Sequence, residues 1–212
     1  MHMNKSDFKL LCEKYDTDKG NYDWFYEKAL GPHRDAPVKI LEIGVRYGSS
    51  IQVFNEYFNN AEIYGIDCSG RWKNNAELLK PNINIFEGSQ SSLKTLYDVY
   101  EKSGPLDIII DDGSHFVEDI LASFEFFKDK FTKLYIIEDT VLTLYGWHYR
   151  IVNSTNIKEM TALEEDNNRS VFQNRDLYEQ YWSSEIRDLD NLRLQSPYKS
   201  ITYYQNLVCI EK

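Results

Sequence analysis

Residues 38–50 read VKILEIGVRYGSS and decide the fold of this chain. Their first part, residues 38–43, is a short apolar run rich in β-branched side chains, and it ends at Gly44. Such a run is typical of a buried strand. Residues 49–58 then carry apolar side chains at helical spacing. The stretch therefore predicts a strand, a tight glycine turn and a helix.

The same pattern recurs along the chain in a weaker form. Four more apolar runs are predicted strands, at residues 62–66, 83–86, 106–110 and 134–137. Segments with helical periodicity, residues 92–101 and 117–127, lie between them. Strands that alternate with helices indicate βαβ units and a parallel sheet covered on both faces. Two β-rich runs flank a polar pair at residues 200–212 and predict a C-terminal antiparallel hairpin.

The fold class is therefore α/β and Rossmann-like, with a mostly parallel seven-stranded sheet. The length of 212 residues and the hydrophobic content of 42% fit one compact domain, residues 1–212. We expect residues 1–37 to form an N-terminal cap segment. Residues 144–195 begin with aromatic residues and continue as a polar segment, which is typical of a lid or specificity insertion.

Charge and cysteine content restrict the partners and the compartment. A net charge of -10 would repel a phosphate backbone, so nucleic acid is not an expected partner. The three cysteines are widely separated, which indicates neither a zinc site nor a disulfide framework. Neither a signal peptide nor an apolar stretch long enough to span a membrane is recognised. These features predict a cytoplasmic protein without a membrane partner.

Acidic residues stand at the end of each predicted parallel strand. They are Glu42, Asp67, Glu87, Asp111, Asp112, Glu138 and Asp139. In an open α/β sheet the ligand binds at the carboxyl ends of the strands. One acidic strand end means little, but five in succession predict a functional site at this edge.

The glycine turn favours S-adenosylmethionine (SAM) as the cofactor. Gly44 lets the backbone approach a ligand closely, and Asp67, 23 residues later, can accept both hydroxyls of a ribose. Arg46 replaces the second glycine of the dinucleotide fingerprint, which admits a pyrophosphate that SAM lacks. Glu42 can meet the ammonium or hydroxyl groups of SAM and would repel phosphates. A nicotinamide dehydrogenase is thus the less favoured interpretation.

Several segments together carry a family resemblance. They are LEIGVRYGSS (41–50), YGIDCS (64–69), DIIIDDGSH (107–115), IIEDT (136–140) and YYQNLVCIEK (203–212). They resemble class I SAM-dependent methyltransferases of the macrocin and mycinamicin type, which modify sugars on macrolide antibiotics. YDTDKG (15–20), followed by Tyr22 and Tyr26, resembles a segment ahead of the first strand in these proteins. The resemblance covers residues 15–212 except 153–191, and it implies a homodimer or homotetramer.

A cofactor site is predicted from the glycine turn and the strand ends. The adenine is expected to lie beside residues 88–90. The members of this site are Glu42, Gly44, Arg46, Gly48, Ser49, Asp67, Cys68, Gly88, Ser89, Gln90 and Asp111. Tyr22 and Trp24 are candidates for closing over SAM, but they fit a place in the core equally well.

A second group of residues predicts a metal and a base. If the fourth and fifth strands adjoin, Asp112, Glu138 and Asp139 can converge, and their oxygens suit a hard cation such as Mg²⁺. A metal lowers the pKa of a hydroxyl, and His115 is placed to remove its proton. The resemblance implies the same roles, with Asp112 and His115 as the catalytic pair. His148 is assigned to the lid or pocket.

The sequence therefore predicts a SAM-dependent O-methyltransferase that uses a divalent metal and a His base. Its acceptor is a hydroxyl of a small molecule, with a sugar or sugar-containing metabolite preferred. Two alternatives stay open: a metal-independent methyltransferase for a small acidic or phosphorylated metabolite, and a non-catalytic SAM-fold binding subunit.

Overall fold

The computed structural model describes residues 6–139, 198–204 and 207–212. Within them the α-helices are α1 (Asp7–Tyr15), α2 (Asp23–Leu30), α3 (Ser49–Tyr57), α4 (Leu93–Ser103) and α5 (Val117–Phe127). The strands are β1 (Val38–Ile43), β2 (Ala61–Asp67), β3 (Ile83–Glu87), β4 (Leu106–Asp111), β5 (Phe131–Glu138), β6 (Ser200–Tyr204) and β7 (Leu207–Glu211). Short 3-10 helices span Asp18–Tyr22, Gly31–His33, Arg71–Asn74 and Ala76–Leu78.

The strands form one sheet in the order β3-β2-β1-β4-β5-β7-β6. The first five strands pair in parallel, whereas β7 is antiparallel to both β5 and β6. The predicted fold class, with its C-terminal antiparallel strand pair, is thus confirmed. The order reverses between β1 and β4, and the carboxyl ends of these two strands flank the crevice where ligands bind in such sheets.

Two parts of the predicted organisation fall beyond this description. The proposed insertion at residues 144–195 and the hairpin turn at residues 205–206 lie outside the described residues. Among the helices that are described, none combines the length and apolar character needed to cross a bilayer.

The sheet has a hydrophobic layer on each face, as its parallel strands require. Successive side chains of a strand point to opposite faces. Ile40 accordingly packs in the layer formed with α1, α2 and α3, while Leu41 packs in the layer formed with α4 and α5. Both side chains have 0% exposure. This alternation also decides which face each acidic strand end reaches.

The N-terminal segment is built into the first layer by polar contacts as well as apolar packing. Ser6 caps α1 by accepting a hydrogen bond from the Lys9 backbone N–H at 3.1 Å. Glu27 of α2 accepts hydrogen bonds from the Phe8 N–H at 2.7 Å and from the Tyr57 hydroxyl at 3.0 Å. One carboxylate thus ties α1, α2 and α3 together.

Gly44 brings the turn after β1 against the loop after β4. Its φ is 93°, and a Cβ at this position would lie 2.0 Å from the carbonyl oxygen of Asp112. The Asp112 N–H donates to the Ile43 carbonyl at 2.9 Å, which holds the two loops in this close contact. A glycine is therefore required both by the backbone conformation and by the available space.

We predict that Gly44→Ala lowers the free energy of unfolding by about 2 kcal/mol more than Gly70→Ala does, because strain and a backbone clash add. Gly70 is the matched control: its φ is also positive, at 63°, but its nearest neighbour is the Glu87 side chain at 3.1 Å. That exposed side chain can move aside. Urea unfolding of the three proteins checks this, and equal losses for both variants would contradict the importance of the close contact.

Candidate active site

The acidic strand ends separate onto two faces of the sheet. Asp111 continues the alternation of β4 and enters the α4–α5 layer, whereas Asp112 is directed towards the α1–α3 side. Glu42 and Glu138 reach that same side from β1 and β5. Three of the seven acidic residues at strand ends therefore share one pocket, and their neighbour Asp111 does not.

Lys19 occupies the centre of this pocket and is 1% exposed. Its ammonium group lies 2.7 Å from Asp112 Oδ2 and 3.5 Å from Glu42 Oε1, and it also contacts Glu138 Oε1. The cation comes from the 3-10 helix Asp18–Tyr22, far from the strands in sequence. We call Lys19, Glu42, Asp112 and Glu138 the lysine cluster.

Tyr26 of α2 lies beside the lysine cluster and contacts it. Its ring is fully buried, and its hydroxyl donates to Glu138 Oε1. Neither Lys19 nor Tyr26 was among the predicted site residues, although both lie in the N-terminal stretch that carried part of the family resemblance. That stretch was the only feature of the sequence that pointed to them.

Burial governs the electrostatics of the cluster. It raises the pKa of Glu42 to about 7, although the Lys19 ammonium acts to lower it. Burial likewise raises the pKa of Glu138 to about 7 against the opposing effect of Lys19. For Lys19 burial acts to lower the pKa, but Asp112 and Glu138 outweigh it and hold that pKa well above its usual value.

One buried acceptor of the cluster stays without a donor. Ser50 donates to Glu42 Oε2 at 2.7 Å, but Glu42 Oε1 is buried and has no hydrogen-bond partner in the described structure. Lys19, at 3.5 Å, approaches that oxygen as an ion pair only. The pocket thus retains unused acceptor capacity, as expected of a place that receives a cationic or hydrogen-bond-donating ligand.

Asp112 also belongs to a second, more exposed group with His115 and Asp139. Ligand atoms of these three residues all lie within 4.8 Å of one another. His115 Nε2 is 3.8 Å from Asp139 Oδ2, and both side chains are close to half exposed. We call this trio the rim group; its two carboxylates suit a hard divalent cation, and its imidazole can accept a proton.

The structure divides the predicted metal ligands between the two groups. Asp112 and Asp139 lie in the rim group, whereas the Glu138 carboxylate is turned inwards towards Lys19 and Tyr26. The predicted base, His115, stands at the rim with a positive φ of 60°. A non-glycine residue in that conformation is uncommon.

The predicted cofactor loop lies at the ends of β1 and β2. Asp67 Oδ2 accepts from the Arg46 N–H at 2.7 Å, and Asp67 Oδ1 accepts from both the N–H and the hydroxyl of Ser69. These bonds fix the carboxylate and leave Oδ2 able to accept a further donor. Gly48 has a φ of 85° and directs the chain into α3, which begins at Ser49.

Gln90 and Asp111, two other predicted cofactor contacts, form a buried network below the loop after β4. Gln90 Nε2 donates to Asp111 Oδ1 at 3.0 Å, and Gln90 Oε1 accepts from the Ser114 N–H at 2.8 Å. Ser123 donates to Asp111 Oδ2 at 2.7 Å, and the Tyr135 hydroxyl reaches that oxygen at 3.2 Å. Burial raises the pKa of Asp111 to about 6. The network supports residues 111–115 from beneath.

The remaining predicted residues divide between the surface and the core. Cys68 and Ser89 are exposed, and Gly88 packs against Thr95. Tyr22 packs partly against the α1–α3 layer, whereas Trp24 is 54% exposed. His148 lies outside the described residues.

Comparison of the sequence with known proteins identifies relatives but no matching family model. The chain is 33% identical to demethylmacrocin O-methyltransferase of Streptomyces fradiae and 32% identical to mycinamicin VI 2''-O-methyltransferase of Micromonospora griseorubida. Each match covers 64% of this chain but 36% of the relative. The matched part of the chain therefore corresponds to about a third of the length of these proteins.

Comparison of the structures gives the same fold. The chain matches MycE methyltransferase from the mycinamycin pathway, solved with Mg, SAH and mycinamycin VI, with a TM-score of 0.69 and 22% identity. This match covers 99% of this chain and 55% of MycE. The O-methyltransferase from Bacillus cereus, solved with SAH, matches with a TM-score of 0.55 and 16% identity over 99% of this chain and 93% of that protein.

These matches confirm the predicted family resemblance and the predicted fold. The chain has the Rossmann-like fold of class I SAM-dependent methyltransferases and is related in sequence to sugar O-methyltransferases of the macrocin and mycinamicin type.

Proposed function

We propose that the protein is a SAM-dependent O-methyltransferase that methylates a hydroxyl of a sugar-containing small molecule with the help of a divalent cation, preferably Mg²⁺. One observation carries the proposal. The rim group of Asp112, His115 and Asp139 stands at the carboxyl ends of β4 and β5, and β4 adjoins β1, whose glycine turn is followed in the sheet by β2 with Asp67 at its end. Cofactor and acceptor can thus meet across the sheet's crevice.

The curated relatives support the choice of substrate. Two of them are named as O-methyltransferases of demethylmacrocin and mycinamicin VI, and a further relative, 30% identical, is named as the 2'-O-methyltransferase of a rhamnosyl tetracenomycin in Streptomyces olivaceus. MycE was solved with both Mg and SAH, which supports the same pair of cofactors for this chain. We infer a glycosylated acceptor from these relatives, and the carboxylates of the rim group would hold the divalent cation.

On the cofactor side, the residues of this chain bind and orient SAM. SAM supplies an electrophilic methyl group on a sulfonium. The turn at Gly44 packs against the backbone of Asp112 and Gly113, and Asp67 Oδ2 accepts a ribose hydroxyl. Glu42 Oε1 has no hydrogen-bond donor and would accept one from a hydroxyl group of SAM. Gln90 and Asp111 act from below by holding the 111–115 loop in place.

On the acceptor side, the rim group would hold the cation and accept the proton of the acceptor hydroxyl. A divalent cation lowers the pKa of a hydroxyl that it binds. Asp112 and Asp139 would hold this cation. His115 accepts the proton of the acceptor hydroxyl as its oxygen forms a bond to the methyl carbon. The carbon–sulfur bond breaks in the same displacement, and its electron pair leaves on the thioether product.

A metal-independent reaction is a second candidate, and one observation favours it. Lys19 already supplies a positive charge to Asp112 and Glu138. These carboxylates therefore have a partial counter-charge even without a metal. Here His115 would act alone as the base, and acidic or phosphorylated metabolites would be the acceptors to test.

We predict that Asp67→Asn weakens SAM binding about tenfold or more, because it removes a charge-assisted hydrogen bond to the ribose. Isothermal titration calorimetry with SAM and SAH measures this loss. Glu87→Gln is the control, since Glu87 ends the neighbouring strand but is half exposed and pairs with Lys73. Equal affinities of wild type and Asp67→Asn would reject the assigned role of Asp67.

We predict that excess EDTA, or the substitution Asp112→Asn, lowers turnover by about 100-fold or more, because the hydroxyl loses its cation. SAM affinity should change little. Mass spectrometry detects the gain of one methyl group on a panel of glycosylated macrolides and aromatic polyketides. Full turnover in EDTA would instead favour the metal-independent reaction.

We predict that His115→Ala lowers kcat by about 100-fold or more while the Kd for SAM stays near that of the wild type, since general-base catalysis contributes on this scale. His33→Ala provides the control, because His33 belongs to the 3-10 helix Gly31–His33 that leads towards the opposite end of β1. An undiminished rate for His115→Ala would remove the histidine from the mechanism.

A further inference from the structure

Lys19 is a buried cation with more carboxylates around it than it can neutralise. Its single ammonium group serves Glu42, Asp112 and Glu138, and its side chain is 1% exposed. Removing one partner of a buried ion pair leaves an uncompensated charge, which is strongly unfavourable. The lysine is therefore part of the charge balance of the pocket and more than a structural tether.

The lysine cluster and the rim group share one residue. Asp112 Oδ2 lies 2.7 Å from Lys19 Nζ, and the same side chain offers a ligand atom to the group with His115 and Asp139. A cation bound at the rim group would therefore share a carboxylate with the lysine. Two positive charges this close repel each other, and in a poorly solvated pocket the repulsion is large.

Glu138 is a second carboxylate for which Lys19 and a bound cation would compete. Lys19 and Tyr26 both bind its Oε1 and hold the carboxylate inwards. While the lysine keeps this position, Glu138 is directed away from the rim group. Without the ammonium, the Glu138 carboxylate would no longer be held inwards by Lys19.

We propose that Lys19 is a built-in counter-ion that competes with the divalent cation for Asp112 and Glu138 and thereby sets the affinity of the site for metal. This inference rests on the proposed function in that it assumes a metal site at the rim group. Lys19 acts here as a positioning residue, because it works through the carboxylates and not on the substrate.

Substitution of the buried Lys19 is expected to have two opposite effects. Loss of Lys19 should destabilise the metal-free protein and yet tighten its binding of a divalent cation. A residue that only anchors the 3-10 helix would behave differently. Its loss would loosen the pocket and weaken metal binding.

The test uses Mn²⁺ as the probe, because it shares the preference of Mg²⁺ for carboxylate oxygens. Isothermal titration calorimetry on the full chain compares wild type with Lys19→Met, which removes the charge and keeps an unbranched apolar chain. We expect Lys19→Met to bind Mn²⁺ about tenfold more tightly or better. Lys19→Arg restores the charge and should return the affinity to within about threefold of the wild type.

Lys9→Met is the matched control. The Lys9 ammonium donates to the carbonyl of Gly20, so this change loosens the same 3-10 helix and leaves Lys19 beside the carboxylates. We expect its Mn²⁺ affinity to equal that of the wild type or to fall. If Lys19→Met does not fold without metal, Lys19→Gln replaces it. Adding Mn²⁺ should then raise the Tm of Lys19→Gln by more than it raises the Tm of the wild type.

The outcomes separate this inference from the proposed function. If wild type binds Mn²⁺ and Lys19→Met binds it equally or less well, the counter-ion role is wrong and the metal site stands. Equal tightening in Lys9→Met would also overturn the role, because loosening would then explain it. Binding by Lys19→Met alone supports the proposal. If no variant binds Mn²⁺ while all bind SAM, the metal site itself is rejected, and this inference with it.

Discussion

A carboxylate taken out of water needs a positive charge or hydrogen-bond donors beside it, and this requirement shapes the molecule around the ends of β1, β4 and β5. Glu42 and Glu138 are both buried there, with 0% and 3% exposure. The sheet offers them no cation. Lys19 comes instead from the N-terminal segment, so the contacts that hold this segment against the sheet also maintain the pocket.

The two aspartates that end β4 illustrate how strand geometry assigns different tasks to adjacent, chemically identical residues. Asp111 faces the α4–α5 layer, where Gln90, Ser123 and Tyr135 satisfy its oxygens. Asp112 faces the opposite side and contacts Lys19. The first aspartate thus stabilises the loop, whereas the second belongs to both the lysine cluster and the rim group. A single-residue shift in register would exchange these positions.

Local patterns in the sequence predict the sheet well. The apolar runs at residues 38–43 and 106–110 are strands because they are buried on both faces, and the turn at Gly44 has the conformation that its glycine suggests. Lys19 could not be found in this way, because its bond to Asp112 joins residues 93 positions apart and no periodicity encodes such a contact. The inward orientation of Glu138 depends on the same distant lysine and on Tyr26. Only a known family motif could have drawn attention to them.

The bridge made by Glu27 between α1, α2 and α3 has a consequence for protein engineering. A designer who moved this binding sheet into another scaffold would be tempted to cut just before β1, where the recognisable motif starts. Such a graft would carry the acidic pocket without its ammonium group and would leave Phe54 and Tyr57 of α3 without their aromatic neighbour Phe8. The smallest transferable unit begins at Ser6, the cap of α1.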